Sequence, residues 1–502
     1  MADASIFSQI LDPANRANPY PLYAELHKTP VARQADGNYV VSTYNEIVAL
    51  LHDPRVSSDP RSHRELAGAM AAAEEGPQGA ALSFIQRDPP DHDRLRELAM
   101  RPFGPPCTPG RIEGMRPWLA EIATGLIDNF AGKNRIFAGK NRIDLVEDFA
   151  YPLPVTAICK ILGVPREDQP RFQVWADALI ETIDPTTGTF EQRMRSGAQV
   201  RAEMRQYING LADVHARQPG DDLISGLLTD TGPHGPMARE DLLATGALLL
   251  VAGHETTVNL ITNGMLTLLR HPDVLDRLRR EPGMITRLVE ELLRYEPPVQ
   301  MRTNRATLAD IDIAGTTIPA GSPLALVLAA GNRDPGRFPH PDRFDPDRTD
   351  NEHLSFLSGI HYCFGAPLAR VETQVALPAL ARRLVNPRLV ADPPPYRPNP
   401  ELRGPRHLLV ELDGVIPAAE AAHEPISPGL PADYALPASQ SQASLPVGGR
   451  LGRRRGRARR VGGPCYPILA LIRSASSRVA WWQAADERVN CGKPWVRSGL
   501  CT

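Results

Sequence analysis

The chain has 502 residues, of which 42% are hydrophobic and 23% charged, with a formal net charge of -2. This is the makeup of a globular protein of one large or a few ordinary domains, and it excludes a collagenous or wholly disordered chain. The near-neutral total conceals an asymmetry: residues 424–502 hold twelve Lys and Arg against four Asp and Glu, which leaves residues 1–423 at -10 and makes nucleic acid an unexpected partner for the acidic body.

The first residues, MADASIFSQILDPANRANPY, contain neither a basic nor an apolar leader segment, so no signal peptide is expected. The stretch NYVVST, Asn38 to Thr43, alternates as a hairpin strand does. Helical periodicity runs over 111–130, 191–216, 240–270 and 272–295. Between the first two of these FAGKNRI occurs twice in tandem, Phe130–Ile136 and Phe137–Ile143. Seven residues are too few for a solenoid repeat, and the reading is a small duplication taken up by a loop. The stretch RATLADIDIAGTTIPAGSPLALVLAAGNRD has short β-branched runs split by Ala-Gly turns and reads as hairpins. A proline-rich meander, DPGRFPHPDRFDPDR, then leads into FLSGIHYCFGAPLAR, Phe356 to Arg370, and a helix over 366–384. The expected fold class is mainly α with small β sheets.

Leu242–Gly253, the most apolar stretch, is too short to span a bilayer, so a cytoplasmic, monomeric protein without a membrane partner is expected. Six cysteines, at 107, 159, 363, 465, 491 and 501, form no CxxC pair, which argues against a disulfide scaffold or zinc ribbon. The segment 417–502 is rich in Pro, Gly, Ala and Ser and includes the basic run RLGRRRGRARR. It reads as a disordered, basic tail behind a domain spanning 1–416.

Four groups of residues carry chemistry. Cys363 sits between Gly359 and Gly365 just ahead of a helix. Glycines let backbone N–H groups wrap a sulfur closely, and a helix N-terminus favours an anion, so the loop suits a thiolate, a soft ligand and electron donor to iron. AGHETT, Ala252 to Thr257, ends an apolar helix with a carboxylate, Glu255, and a hydroxyl, Thr256. Thr256 is placed to bond back to the Ala252 carbonyl, loosening the helix with the help of Gly253 and opening a groove. Glu291 and Arg294 lie three apart on one helix face. His92 and Arg96 lie four apart on another.

Phe356, Gly359, His361, Cys363, Gly365, Leu368 and Ala369, at these offsets, resemble the cysteine loop of the cytochrome P450 family, with Leu357 where the family commonly has glycine. The resemblance covers roughly Ile10 to Ile416. It implies a P450-like fold, with haem between the long AGHETT helix and the helix behind the cysteine loop. It implies haem b bound through Cys363 as iron ligand, with Phe356, Gly365, Ala252 and Gly253 around it and His92, Arg96, Arg305 and His361 on the propionates. Glu255 and Thr256 become the catalytic proton-handling pair. Glu291, Arg294 and Arg343 become a buried structural triad. The implied activity is a haem-thiolate monooxygenase that hydroxylates or epoxidises a small apolar organic substrate with dioxygen, in secondary metabolism or catabolism. No GxGxxG follows a strand, so electrons from NAD(P)H come indirectly, by resemblance through a ferredoxin reductase and a ferredoxin. The substrate-facing side chains are expected to include Phe84, Ile85, Leu248, Val299 and Met301. A peroxide-driven peroxygenase of the same fold and a non-catalytic haem sensor are the alternatives; the intact Glu255–Thr256 pair argues against the first.

Overall fold

The computed structural model describes residues 5–62, 82–104, 108, 110–132, 135–137, 140–183 and 190–421. All of these fall within one unit of the chain, Met1–Ser441. The expected tail reaches from 417 to 502, and its part from 422 onward lies outside the described residues.

The principal helices are α1 (Tyr44–His52), α2 (Asp91–Phe103), α3 (Arg116–Gly132), α4 (Pro152–Leu162), α5 (Gln169–Ile183), α6 (Phe190–Arg217), α7 (Arg239–Ala252), α8 (Glu255–Arg270), α9 (Pro272–Arg280), α10 (Ile285–Tyr295) and α11 (Ala366–Arg383). The expected class, mainly α with small sheets, is what the chain adopts. Helix α8 is the centre of the core. Thirteen of its sixteen residues are buried, and its polar ones bond within the protein: Thr262 to the Val258 carbonyl at 2.9 Å, Thr267 to that of Asn263 at 2.7 Å, and the Asn263 amide to that of Arg403 at 2.9 Å. Buried hydroxyls and amides are tolerated because they are bonded in this way. Gly264 lets α8 close on its neighbours, since a Cβ there would lie 3.2 Å from both Leu292 of α10 and Leu377 of α11.

A five-stranded sheet has the order β1-β2-β9-β6-β3, built from Val31–Arg33, Tyr39–Val41, Pro323–Leu326, Arg302–Thr307 and Val56–Ser57. Its NYVVST strand and the Ala-Gly turn agree with the sequence reading. Ile311–Ile313 (β7) and Thr316–Ile318 (β8) pair through Ala314 and Gly315, at φ 46° and 73°, both left-handed as a two-residue hairpin requires.

Three expectations are corrected. The helix over 240–270 is two, α7 and α8, interrupted at Gly253 and His254. The helix over 272–295 is also two, with a 3-10 turn at Pro282–Met284 where proline cannot continue the ladder. The FAGKNRI duplication is not a loop insertion. Its copies contribute β4 (Arg135–Phe137) and β5 (Lys140–Asp144), an antiparallel pair whose second member joins a sheet ordered β11-β12-β5-β4, with β11 Arg388–Leu389 and β12 Leu409–Leu412. Asp144 explains why the second copy pairs with β12. Its carboxylate accepts from the Leu408 and Val146 N–H groups at 3.0 Å and bonds His407 Nδ1 at 2.7 Å. The equivalent position of the first copy is Phe137, which has no such acceptor.

Candidate active site

The loop before α11 turns on two left-handed residues, Leu357 at φ 61° and Gly359 at φ 66°. Gly359 is required, since a Cβ there would come within 2.4 Å of the Leu51 carbonyl at the end of α1. Leu357 holds, as a side-chain-bearing residue, a conformation that glycine reaches without strain. The loop closes with Cys363 N–H donating to the Phe356 carbonyl at 2.9 Å. Burial pushes the Cys363 thiol up, while the N–H groups of Gly365 and Ala366 and the charges of Arg96 and Arg370 favour its thiolate. Phe364, next to it, packs against Phe84 and Phe103 at ring distances of 5.6 and 4.4 Å.

The four predicted basic groups converge. His92 and His361 meet with ring centroids 4.5 Å apart. Arg96 donates to the Tyr362 carbonyl at 2.5 Å, one residue from Cys363. Arg305 is buried; that burial and the neighbouring Arg302 lower its guanidinium to about 9. Burial, then Arg305, His92, Arg96 and Arg302, hold His361 at about 2, so it is neutral. His92 Nδ1 bonds Asp93 at 2.7 Å and His361 Nε2 bonds Ser58 at 2.7 Å, whereas His92 Nε2 and His361 Nδ1 are buried with no partner. Buried polar nitrogens without partners are rare in folded proteins, and beside the Arg96 and Arg305 guanidinium groups they suit an anionic ligand.

At the break between α7 and α8 the Thr256 hydroxyl donates to the Ala252 carbonyl at 3.1 Å, as the sequence predicted. Gly253 allows the turn: a Cβ would stand 2.6 Å from the Leu249 carbonyl and 3.0 Å from Ile158. His254 Nδ1 engages the Leu250 carbonyl at 2.6 Å, so two side chains compete for main-chain acceptors where the helix parts. Ala252 is exposed there. Glu255 is buried, and its Oε1 accepts from Arg397 and from Asn259 Nδ2 at 3.2 Å, while Oε2 has no partner. Arg397 was not foreseen. It lies in an irregular loop far along the chain, and no periodicity pointed to it.

The expected triad is only partly formed as predicted. Glu291 and Arg294 are fully buried and joined by two bonds of 2.8 Å. Arg343 contributes its carbonyl, which accepts from Arg294 at 3.2 Å, but its side chain is exposed. The second arginine on Glu291 is Arg348, at 3.2 Å. A parallel network was missed: Glu290 pairs with Arg370 at 2.7 and 2.8 Å, and Arg370 reaches the Tyr362 hydroxyl and stacks over Phe356. Burial opposes ionisation of Glu290, but Arg370 and His353 outweigh it and hold the carboxyl at about 2. This ties α10 to both ends of the cysteine loop. Among the expected substrate-facing residues, Ile85, Leu248 and Val299 are half-buried, whereas Phe84 and Met301 are buried in the core and are corrected to packing residues.

A half-buried thiol faced by N–H donors, a cation cluster with unpaired nitrogens for two carboxylates, and a helix opened at Ala252 and Gly253 fit haem, and define a haem-thiolate protein. The chain belongs to the cytochrome P450 family, whose pattern, Cytochrome P450, matches residues 62–385. It is 42% identical over 399 residues to the cytochrome P450 monooxygenase PikC of Streptomyces venezuelae, covering 77% of this chain and 89% of that one. It is 36% identical over 407 residues to the 6-deoxyerythronolide B hydroxylase of Saccharopolyspora erythraea, covering 79% and 96%. Among solved structures it resembles the myxobacterial cytochrome P450 CYP267B1 with myristic acid (TM-score 0.72, 37% identity, 81% and 99% covered). It also resembles P450BioI bound to an acyl carrier protein carrying hexadec-9Z-enoic acid (TM-score 0.71, 35% identity, 80% and 99% covered). The protein is thus a haem-thiolate monooxygenase, acting with dioxygen, an organic substrate and redox partners. No helix among the described residues is long and apolar enough to cross a membrane.

Proposed function

We propose that this cytochrome P450 hydroxylates a polyketide-derived macrolactone, working in the cytoplasm as a monomer with electrons passed from NAD(P)H through a ferredoxin reductase and a ferredoxin. The observation that carries the catalytic part is the opened helix, with the Thr256 hydroxyl on the Ala252 carbonyl and an unbonded Glu255 Oε2 one residue away. Bound haem supplies the redox chemistry by which one atom of dioxygen enters the substrate and the other leaves as water. Cys363 holds the iron, with Phe356, Gly365, Ala252 and Gly253 around the ring. His92, Arg96, Arg305 and His361 orient it through the propionates. Glu255, anchored through Oε1 by Arg397, offers its unbonded Oε2 as a relay point for protons from solvent, and the Thr256 hydroxyl beside it is the donor that turns from the Ala252 carbonyl. The half-buried apolar side chains Ile85, Leu248 and Val299 orient the substrate and exclude water. The macrolactone assignment is supported by the likeness to the 6-deoxyerythronolide B hydroxylase.

Two measurements test this. In Thr256→Ala the haem and substrate spectra stay normal while NAD(P)H consumption yields peroxide in place of product; unchanged coupling removes Thr256 from proton transfer. A spectral titration of the ferric protein with macrolactones and with long-chain fatty acids identifies the substrate class, and a low-spin to high-spin change with fatty acids alone overturns the macrolactone.

A further inference from the structure

Strand β6 carries two arginines three residues apart, Arg302 and Arg305. In a regular strand that spacing would put them on opposite faces. Here Arg302 lies opposite Leu326 of β9 and Arg305 opposite Leu324, so three steps along β6 match two along β9 and the register shifts between them. Such a bulge re-aims side chains. Cross-strand partners share a face, and Leu324 and Leu326 are two apart, so both arginines project to one side of the sheet. Both arginines act electrostatically on His361 of the cysteine loop, which puts that loop within reach of their charges.

Arg302 is not fully engaged there. Its Nε is buried without a partner, and its Nη1 stands 3.6 Å from Glu401 Oε2, beyond hydrogen-bond reach. Glu401 is fixed independently of it. Its Oε1 accepts from Thr303, its N–H donates to Asn399 Oδ1 at 2.9 Å, and its carbonyl accepts from the Gln300 N–H at 2.7 Å. Arg302 thus stands between a carboxylate that holds it loosely and a cluster of cations that needs an anion. After burial, its charge is the next influence that lowers the Arg305 guanidinium, and it acts on His361 as well.

We infer that Arg302 is an additional contact for the haem carboxylates, brought to them by the β6 bulge and restrained by Glu401, so that these two residues set how tightly the cofactor is held. The inference rests on the haem-thiolate assignment. The bulge leaves the Arg302 Nε free to donate to a carboxylate while Nη1 keeps its pull toward Glu401. Neutralising Glu401 releases the guanidinium toward the haem side, and neutralising Arg302 removes the contact.

The test uses the haem-loaded protein and measures haem transfer to apomyoglobin. Arg302→Gln is expected to transfer haem about tenfold faster, the equivalent of one charge-assisted hydrogen bond. Glu401→Gln, which retains an acceptor for Thr303, is expected to transfer it more slowly than the unaltered protein. In the double variant the Glu401 effect disappears. If Arg302 and Glu401 form only a structural pair, both single variants lose haem faster, and that result overturns the inference; so does an unchanged rate in Arg302→Gln. The ferrous–CO band is read first in every sample. Its absence from the unaltered protein defeats the haem-thiolate reading, whereas a normal band with rates outside the expected pattern defeats the role of Arg302 alone.

Discussion

His92 of α2 and His361 of the cysteine loop meet edge to face at 4.5 Å, and each has a buried ring nitrogen that no group of the protein bonds. A buried unpartnered nitrogen costs stability until something bonds it. Replacing His92 with Phe keeps the ring packing and removes the unpartnered nitrogen, together with the Nδ1 bond to Asp93, whose exposed carboxylate returns to water. The expected result has two signs: haem is lost several-fold faster, in line with one lost hydrogen bond of about 1 kcal/mol, while the apoprotein melts at a higher temperature. Haem transfer and apoprotein melting curves check both.

Cys363 is the thiol assigned to iron. Cys363→Ser should abolish the strongly red-shifted ferrous–CO band. Cys159, buried among apolar side chains, has its thiol pushed up to about 12 by burial and serves as a small core residue, so Cys159→Ala leaves the band in place.

The meander network ranks three substitutions. Glu291→Ala strands Arg294 in a dry setting, at a cost of about 3–5 kcal/mol, and should yield apoprotein or aggregate. Arg348→Ala removes one ion-pair partner whose carboxylate keeps Arg294, the Asp345 N–H and Asn351, at a cost of about 1–2 kcal/mol. Arg343→Ala leaves the carbonyl that receives Arg294 and changes stability by less than about 0.5 kcal/mol. Denaturation midpoints of the three variants test the order.

Glu372 of α11 is fully buried, and neither carboxyl oxygen has a hydrogen bond of normal geometry; burial raises it to about 8, with the Thr257 hydroxyl opposing only in part. A carboxyl raised in the folded state binds its proton more tightly folded than unfolded. Its contribution is therefore complete below the unfolded value near 4.5 and is lost as the pH climbs toward 8, by about 1.4 kcal/mol per pH unit. Glu372→Gln should flatten that slope, matching the unaltered protein near pH 5 and exceeding it at pH 8 in urea midpoint.

The β12 strand and Ile416 close the described fold: the Ile416 N–H donates to the Arg383 carbonyl at 2.8 Å, and Arg383 donates back to the Ile416 carbonyl. A chain ended at Ala421 should load haem and turn over substrate as the full chain does. Loss of haem uptake in that shortened chain would make residues 422–502 a working part of the enzyme.

The sequence by itself determined the parts whose chemistry is local. Cys363 and its glycines, His92 with Arg96, and Glu255 with Thr256 are each brought together by spacings within one turn or one loop, and the resemblance to cytochrome P450 gives them their roles. Even the Thr256 bond to the Ala252 carbonyl comes from a helical offset of four. Tertiary structure decided the choices among equivalent candidates. Arg343 and Arg348 both lie in a meander without periodicity, and only its backbone course turns Arg348 toward Glu291 and Arg343 to solvent. Arg397 reaches Glu255 across the fold, and Arg370, which no sequence pattern paired, meets Glu290 beside Glu291. The two FAGKNRI copies are identical, so the residue directly after each copy separated them: Asp144 could accept from the 407–408 segment and Phe137 could not. The bulge in β6 escapes any period-two reading, because one extra residue reverses the face of every side chain beyond it.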